Sequence, residues 1–321
     1  MTVSVIIAVY NCEKYLSNLL CNVKNQTFTD FEVIFVDDSS TDDSYKILEE
    51  FCKNDERFSL YSKENTGVSS ARNFGIEKAK GEYLVFWDGD DEVSPRFLQE
   101  ALSSTESDKL WTCGFNYDLN GNVELKVFSE RKVVSVEKNR AFQLVDKWLF
   151  NTLWNKIFLK KIIDDNSIRF EESFTMGEDT DFVLKYTKYV NGFIVCNEPL
   201  YTYYTRSTNA SSRYHKTMLN ATEQRNKLFV ENLQSNAPFF EEGKIALGEK
   251  YQKELIGVLW HYCKFYKADK NNKKYIKSTL VELNKKGVKK VKVNAFLSLV
   301  IKLKSVALTR FYYKTVLEKR S

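Results

Sequence analysis

The chain has 321 residues, of which 43% are hydrophobic and 14% aromatic, and it contains only 3 prolines and 12 glycines. This composition supports a folded protein with a sizeable core and excludes a disordered or fibrous chain. The 6 cysteines show neither Cys-x-x-Cys pairs nor the spacing of a metal site, which predicts reduced thiols in the cytoplasm.

Short apolar runs alternate with helical patterns over the first 120 residues. Strands are predicted at 3–9, 32–37, 58–62, 82–88 and 109–115, and helices at 13–26, 44–53 and 69–81. This alternation predicts an α/β fold with a Rossmann-like, mostly parallel sheet and helices on both faces.

The later part of the chain is predicted to be mostly helical. Helical periodicity covers 139–165 and 173–190, a strand follows at 192–207, and helices continue from about 215 to the last residue. The predicted organisation is therefore a first domain at 1–210, itself divided near residue 120, and a helical region at 211–321.

Charge divides the chain at the same place. Residues 1–210 contain 24 Lys and Arg against 34 Asp and Glu, whereas residues 211–321 contain 24 against 9. An acidic part and a basic part are expected to have different partners.

Neither a secretory signal nor a membrane span is expected from the hydrophobic pattern. The first apolar run begins at residue 3 with no basic segment before it, and no run approaches the roughly 20 apolar residues that cross a bilayer. The expected location is the cytoplasm, either in free solution or peripherally on the inner face of the cell membrane.

Polar clusters follow three of the predicted strands. They are Tyr10-Asn11, Asp37-Asp38 and Asp88-Gly89-Asp90-Asp91. Any one of them is typical of a turn. Because the carboxyl ends of parallel strands meet at one edge of a sheet, the three together favour a ligand site.

The Asp-x-Asp-Asp run supplies hard oxygen ligands, which suit Mg²⁺ or Mn²⁺. Such ions bind through one or two carboxylates and substrate phosphates, which predicts a phosphorylated substrate. The chain has no Gly-x-x-x-x-Gly-Lys-Ser/Thr loop and no Gly-x-Gly-x-x-Gly fingerprint, so ATPases and dinucleotide enzymes are disfavoured. The Asp37-Asp38 pair could accept hydrogen bonds from a base and a ribose, as a nucleotide diphosphate would require.

Four segments resemble glycosyltransferase family 2, the inverting nucleotide-sugar transferases with the GT-A fold. They are VSVIIAVYNCEKYL, QTFTDFEVIFVDDSSTD, NTGVSSARNFGIEKAKGEYLVFWDGDD and GEDTDF, and the resemblance covers roughly the first 210 residues. It implies metal-dependent transfer of one sugar from a UDP-sugar to a glycan acceptor, in the capsule, exopolysaccharide or adhesin-glycan branch. The acceptor is then a lipid-linked oligosaccharide or a protein-linked glycan. Since the chain has neither a Gln-x-x-Arg-Trp motif nor a membrane span, non-processive transfer is expected.

The resemblance also implies roles for donor-site residues. Tyr10 would flank the nucleotide base and Asp38 would bind it, Asp88 would contact the ribose, Asp90 would bind the metal, and Asp91 would support the diphosphate side. The other donor-site positions by resemblance are Ala8, Asn11, Asp37, Arg72, Asn73 and Arg206, with Tyr203 and Tyr204 nearby. Two of the positions depart from the family, because Ala8 replaces the usual proline and Ser39 the usual glycine.

A general base is implied at the acid pair Glu178-Asp179, which begins a later predicted helix. An acceptor hydroxyl needs a carboxylate within hydrogen-bonding reach to take its proton. The alternative is structural, since Thr175 to Glu178 fits a capping box and acids suit the positive end of a helix. With the donor motifs present, Asp179 is favoured as the base and Glu178 as a capping or acceptor-orienting residue.

Trp154-Asn155-Lys156 resembles a block of the capsule and exopolysaccharide branch. By that resemblance Trp154 and Lys156 are expected to contact the acceptor, although an aromatic residue at helical spacing is as often part of a core. His215 lies where some relatives have a metal ligand, but a lone histidine is usually not one.

Two other functions stay open at this point: an Asp-x-Asp phosphohydrolase and a non-catalytic scaffold that binds sugar nucleotides. The basic tail raises a separate question. Residues 264–321 contain 17 Lys and Arg against 3 Asp and Glu, interleaved with apolar residues. This pattern suits an anionic membrane surface or self-association, while nucleic acid is not expected as a partner because no binding motif is present.

Overall fold

The computed structural model describes residues 1–119, 121–138, 140, 148–206, 214–234, 240–284 and 295–314. The described residues form two compact units. The first contains residues 1–140, 148–172 and 178–206, and the second contains 173–177 and the residues from 214 onward. The assignment of 1–120 to the donor and 121–210 to the acceptor and base stays a prediction.

The first unit begins with the predicted alternation of strands and helices. The strands are β1 (Val3–Val9), β2 (Phe31–Asp37), β3 (Phe58–Ser62) and β4 (Tyr83–Asp88), and the helices are α1 (Glu13–Lys24), α2 (Ser44–Cys52) and α3 (Val68–Lys78). β1 pairs in parallel with both β2 and β4, and β2 with β3. The carboxyl ends of these four strands therefore lie at one edge of the sheet, as the sequence predicts.

Burial explains why these strands have continuous apolar sequences. Every residue of β2 is buried, as are the residues of β4 from Leu84 to Trp87 and all residues of β1 except the partly buried Ala8. Because helices cover both faces, such strands need apolar side chains on both sides.

The rest of the first unit extends the sheet with both parallel and antiparallel pairs. Its elements are β5 (Glu92–Val93), α4 (Phe97–Ser104), β6 (Lys109–Leu119), β7 (Asn122–Lys126), β8 (Val133–Glu137), β9 (Lys156–Leu159), α5 (Lys160–Asp165), α6 (Glu178–Thr187) and β10 (Gly192–Thr205). The described strands form one sheet in the order β3-β2-β1-β4-β9-β6-β10-β5, with β7 on β6 and β8 on β10. β10 is parallel to β6, whereas β9 is antiparallel to both β4 and β6.

The predicted helix at 139–165 is wrong over most of its described part. Residues Trp148–Phe150 form one turn of 3₁₀ helix, β9 follows, and only α5 is α-helical. Ile157 pairs with Trp111 of β6, and Phe158 pairs with Leu84 of β4. This apolar segment pairs with β4 on one side and β6 on the other, so it forms a strand despite its helical periodicity. Residues 139 and 141–147 lie outside the described part of the chain.

The second unit is helical in its described residues. Its helices are α7 (Met218–Gln234), α8 (Phe240–Lys264), α9 (Asn272–Glu282), α10 (Ala295–Leu303) and α11 (Val306–Tyr312). Their apolar residues form a separate core that includes Leu255, Leu259, Tyr262 and Ile276. Among the described residues, every helix is too short or too polar to cross a membrane.

Candidate active site

Asp90 and Asp91, the acids that follow β4, are held by Arg206 and by two tyrosines. Arg206 places Nη1 3.0 Å from Oδ2 of Asp90. The carboxylate of Asp91 is buried, accepting one hydrogen bond from the Tyr201 hydroxyl at 3.0 Å and another from the Tyr204 backbone N–H at 3.0 Å. The crowded acids are therefore compensated by charge and by hydrogen bonds from β10 and the residue that follows it.

Burial affects the ionisation of these acids. It raises the pKa of Asp90, with a further increase from Asp88 and an opposing effect from Arg206. Burial also raises the pKa of Asp91 well above its usual range. The negative charges of Asp88 and Asp90 raise it further. A cation would lower both values by favouring the charged forms.

Arg72 joins the end of β4 to the start of α6. Its Nη2 lies 2.8 Å from Oδ1 of Asp88, its Nη1 lies 2.6 Å from Oδ1 of Asp179, and Glu178 lies 3.6 Å from the same Nη1. The guanidinium is 4% exposed and faces the ring of Phe170 at 5.4 Å. The predicted donor-side acid and the predicted general base thus meet on one arginine.

Thr175, which precedes the acid pair in sequence, has its hydrogen-bonding partners within the second unit. Its hydroxyl lies 3.1 Å from the Thr217 hydroxyl and 3.3 Å from Nδ1 of His215. Burial raises the pKa of Asp179 to about 7, against the opposing effect of Arg72, with further increases from Glu178 and Asp88. Such a carboxyl is suited to accept a proton near neutral pH.

Asp38 organises the loop before α3. Its carboxylate accepts hydrogen bonds from Lys63 Nζ at 2.9 Å, from the Thr66 backbone N–H at 3.1 Å and from that of Gly67 at 2.8 Å. Asp37 is also buried and accepts from the backbone N–H of Ser40. Their binding of a nucleobase and ribose stays a prediction, and both carboxylates already shape the edge on which a nucleotide would rest.

The residues after β1 shape the neighbouring loop. Asn11 accepts the Thr41 backbone N–H through Oδ1 at 2.7 Å, which ties the end of β1 to the loop after β2. Tyr10 is 46% exposed and so presents its ring to solvent. Ala8 lies within β1, paired with Val36 and Asp88.

The departure at Ser39 has a structural consequence. Ser39 has a φ of 59°, in the left-handed region where glycine costs least. Its hydroxyl donates to the Lys63 carbonyl at 2.7 Å. The loop therefore keeps a glycine-like backbone conformation without the glycine.

Asn73 serves a different segment from its neighbour Arg72. Its Nδ2 donates to the Phe170 carbonyl and to Glu172 Oε1, both at 3.0 Å, and its Oδ1 accepts from the Phe170 N–H at 2.9 Å. Asn73 thus fixes the residue whose ring lies against Arg72.

The structure corrects the acceptor prediction for Trp154 and Lys156. Trp154 is 5% exposed and stacks on Tyr201 at a centroid distance of 4.3 Å, so it belongs to the core. Lys156 is fully buried and donates to the Thr152 hydroxyl at 2.8 Å and to Asn155 Oδ1 at 3.0 Å. Burial lowers the pKa of Lys156 to about 7, with opposing effects from Cys113 and Asp179.

Three other expected residues have structural contacts. Tyr204 donates its hydroxyl to Glu92 at 2.7 Å, and Tyr203 stacks on Tyr117 at 5.7 Å. In the second unit, the backbone N–H of His215 donates to Nε2 of His261 at 2.8 Å. These contacts define packing roles, and the second histidine gives His215 a neighbour that the sequence pattern does not indicate.

A divalent cation fits this site through a small number of protein ligands. The side chain of Asp90 is 30% exposed, and its contact with Arg206 is through one oxygen. No group of three or more His, Cys, Asp or Glu within the described ranges could hold a metal by itself. Mg²⁺ and Mn²⁺ need only one or two carboxylates when a diphosphate and water complete the coordination, so Asp90 suits this chemistry.

Sequence reasoning missed Lys63, Phe170 and Tyr201. Lys63 directly follows β3, so the rule about the carboxyl ends of strands could have found it. Tyr201 also accepts the Asp88 backbone N–H at 3.2 Å, across 113 residues of sequence. Such long-range partners leave no local pattern in the sequence.

The fold and the site together define a glycosyltransferase of the GT-A type. The chain belongs to glycosyl transferase family 2, since the model of this family matches residues 4–166. The resemblance seen in the sequence motifs is confirmed, and the phosphohydrolase alternative is no longer supported.

Known relatives and solved structures agree with this assignment. EpsH of Bacillus subtilis (strain 168), named as a glycosyltransferase, is 29% identical over 261 residues, or 79% of this chain and 72% of EpsH. This chain covers 46 to 64% of the length of three other curated relatives.

Two solved structures share the fold. S. aureus TarS 1–349 in complex with UDP-GlcNAc aligns with a TM-score of 0.73 at 21% identity, covering 98% of this chain and 92% of that one. The mannosyltransferase PcManGT from Pyrobaculum calidifontis, solved with GDP-Man and Mn²⁺, aligns with a TM-score of 0.53 at 14% identity, covering 99% and 87%. At these identities the likeness shows a common fold.

Proposed function

We propose that this protein transfers one sugar, with inversion, from a UDP-sugar to a hydroxyl of a glycan acceptor, in a reaction that needs Mn²⁺ or Mg²⁺. The observation that carries the proposal is the convergence on Arg72, which lies 2.8 Å from Asp88 and 2.6 Å from Asp179. A donor-side acid and a base candidate are thereby within one guanidinium of each other. The UDP-GlcNAc complex of TarS supports the donor class, and the Mn²⁺ of PcManGT supports the metal.

The chemistry is a single displacement. The acceptor oxygen attacks the anomeric carbon and gives its proton to Asp179. The new glycosidic bond forms as the bond between the anomeric carbon and the phosphate oxygen breaks, and the electron pair leaves with UDP. Because attack and departure occur on opposite faces, the anomeric configuration inverts.

The donor is held by residues from three strand ends. We assign the nucleobase to Tyr10 and Asp38, the ribose to Asp88, and the diphosphate to Arg206. Arg206 is partly exposed and bonded to Asp90, so it can exchange that carboxylate for phosphate oxygens. When bound by Asp90, Mn²⁺ or Mg²⁺ supplies positive charge for the departing diphosphate.

A UDP-release assay with a panel of UDP-sugars tests the function. We expect one donor to yield UDP in the presence of Mn²⁺ or Mg²⁺ and an acceptor glycan, and EDTA to stop the release. Asp90→Asn should remove most activity, and Asp179→Asn should lower turnover by about a hundredfold to ten-thousandfold as a lost general base does.

Asp165→Asn is the matched control, because Asp165 is exposed on α5 and forms an ion pair with Lys161 on the same helix. This variant should keep full activity. If the protein bound a UDP-sugar but released no UDP with any acceptor, the result would instead support the non-catalytic scaffold. Normal turnover of Asp90→Asn would contradict the metal role.

We also propose that the basic helices of the second unit bind an anionic membrane surface. Leu299 and Leu303 of α10 are 47% and 56% exposed, and Phe311 of α11 is 60% exposed. Lys302 and Lys304 lie beside them and are also exposed. Apolar side chains interleaved with lysines suit a bilayer interface, where each basic residue near the surface contributes about 1 kcal/mol.

Charge favours the membrane over a second copy as the occupant of this face. Two copies would bring together segments that each carry 17 basic and 3 acidic residues over 264–321, so they would repel one another. An anionic bilayer has the complementary charge. A peripheral location would also concentrate the enzyme near lipid-linked acceptors.

Vesicle co-sedimentation tests this partner. The full chain should sediment with vesicles containing phosphatidylglycerol and not with pure phosphatidylcholine, and high salt should weaken the binding. The double variant Leu303→Ser, Phe311→Ser should lose most binding. Val123→Ser, Leu125→Ser is the control, since it removes equally exposed apolar residues from β7. Concentration-dependent dimers without vesicle binding would contradict the proposal.

A further inference from the structure

Arg72 forms ion pairs with the candidate base and with a donor-side acid at the same time. Its two terminal nitrogens contact different carboxylates: Nη2 lies 2.8 Å from Asp88, and Nη1 lies 2.6 Å from Asp179. The guanidinium is almost fully buried. A planar fork of this kind fixes the positions of both carboxylates, which a single ammonium group cannot do.

The aromatic residue behind the guanidinium strengthens this connection. Phe170 faces Arg72 at 5.4 Å and stacks on Phe182 at a centroid distance of 4.1 Å. Phe182 lies on α6, one turn after Asp179. α6 is therefore attached to Arg72 directly through Asp179 and indirectly through two stacked rings.

Four charged groups act on the Asp179 carboxylate. Arg72 is the contacting cation, the carboxylates of Glu178 and Asp88 oppose it, and buried Lys156 interacts with Asp179 electrostatically. Without Arg72, the two neighbouring carboxylates would raise the pKa of Asp179, and Lys156 would oppose them.

We propose that Arg72 is a positioning residue for the general base: it holds Oδ1 of Asp179 and leaves Oδ2 to receive the acceptor proton. This inference rests on the proposed function, because it gives Asp179 the role of base. In this role Arg72 does not contact the substrates and acts only through Asp179. It differs from the role implied by family resemblance, in which Arg72 lines the donor pocket.

The test compares Arg72→Gln and Arg72→Lys with the wild-type full-length protein. Protein labelled with 13C at the aspartate carboxyl is titrated by NMR, and the Asp179 signal is assigned from its loss in Asp179→Asn. In Arg72→Gln the titration midpoint of Asp179 should rise by about one to three pH units, the usual effect of losing an adjacent opposite charge. Turnover at pH 7 should fall by roughly tenfold or more for the same reason.

Binding of UDP in the presence of Mn²⁺, measured by calorimetry, separates this role from donor binding. UDP affinity should fall by much less than turnover in both variants, because Arg72 also holds Asp88, the proposed ribose contact. A weaker UDP affinity with an unchanged Asp179 midpoint would make Arg72 a donor ligand and overturn the proposal. Arg57→Gln is the control, because Arg57 also pairs with an aspartate at 2.7 Å and lies over an aromatic ring.

Arg72→Lys keeps the test decisive if Arg72→Gln does not fold. The lysine retains the charge and loses the fork, so turnover should fall by about tenfold while the Asp179 midpoint moves by less than about one pH unit. Full turnover in this variant would overturn the positioning role. If wild-type protein released no UDP from any donor, the proposed function would fail, whereas the NMR titration would still decide whether Arg72 controls Asp179.

Discussion

Lys156 gives a prediction about stability that can be worked out from its surroundings. The side chain is fully buried, and its ammonium group donates hydrogen bonds to two neutral oxygens, on Thr152 and Asn155. Burial lowers its pKa from the usual 10.5 to about 7. At about 1.4 kcal/mol per pH unit, this difference corresponds to a ceiling of about 5 kcal/mol.

The sign follows from where each state holds the proton. The unfolded chain keeps Lys156 protonated up to about pH 10, whereas the folded chain releases the proton near pH 7. Between these values the unfolded state binds more protons, so the free energy of unfolding rises with pH. Between pH 7 and pH 9 the deprotonation of Lys156 should raise the free energy of unfolding by about 2 kcal/mol.

Urea denaturation of wild type and Lys156→Met at pH 7, 8 and 9 measures this contribution. The difference between the two proteins cancels the cysteines and other lysines that titrate in the same range. The variant should lack the part of the pH-dependent rise that belongs to Lys156. Lys161→Met is the control, since Lys161 is exposed on α5 and should leave the rise intact. Parallel pH profiles for wild type and Lys156→Met would refute the reasoning.

Three further predictions concern the site and its supports. Because the proposed base Asp179 must be ionised and burial raises its pKa to about 7, kcat/KM should fall as pH drops below about 7, and a flat profile from pH 5 to 8 would contradict that role. Gly177→Ala should lower Tm, because Gly177 has a φ of 87°, where a side chain is strained, and the added Cβ would also displace the Arg225 guanidinium. Asn11→Ala should cost about 0.5–1.5 kcal/mol in urea denaturation, because it removes the exposed hydrogen bond from the Thr41 N–H, and unchanged stability would show that the loop is held otherwise.

The first four strands could be predicted closely because local sequence and tertiary environment agree there. The strand at 58–62 has the bounds of β3, and the strand at 3–9 has those of β1. Both arise from continuous apolar runs bounded by polar turns. No competing pattern is present in either segment.

The segment around Lys156 could not be predicted because local pattern and tertiary environment disagree. Its aromatic residues recur at helical spacing, yet β9 fills the gap between β4 and β6. Strand pairing there satisfies backbone groups that a helix would satisfy internally. The choice between the two depends on neighbours more than 40 residues away in sequence.

The candidate site shows the same division between residue types and residue partners. The motifs predict chemical roles for Asp88, Asp90 and Asp179, and the structure joins Asp88 to Asp179 through Arg72 and pairs Asp90 with Arg206. They do not show that Trp154 is covered by Tyr201 or that Arg72 contacts Asp179. Motifs encode which groups the chemistry needs, whereas partners depend on how the sheet and α6 pack.

Charge balance at this edge of the sheet gives an independent reason for a cation in the reaction. Five carboxylates lie around two guanidinium groups, which leaves a formal excess of three negative charges; they are Asp88, Asp90, Asp91, Glu178 and Asp179 around Arg72 and Arg206. In the proposed reaction a nucleoside diphosphate would add further negative charge to the same place. Arg72 is held by its carboxylates, so Arg206 alone would have to offset the diphosphate. A divalent ion held by Asp90 would supply the missing positive charge as the diphosphate departs.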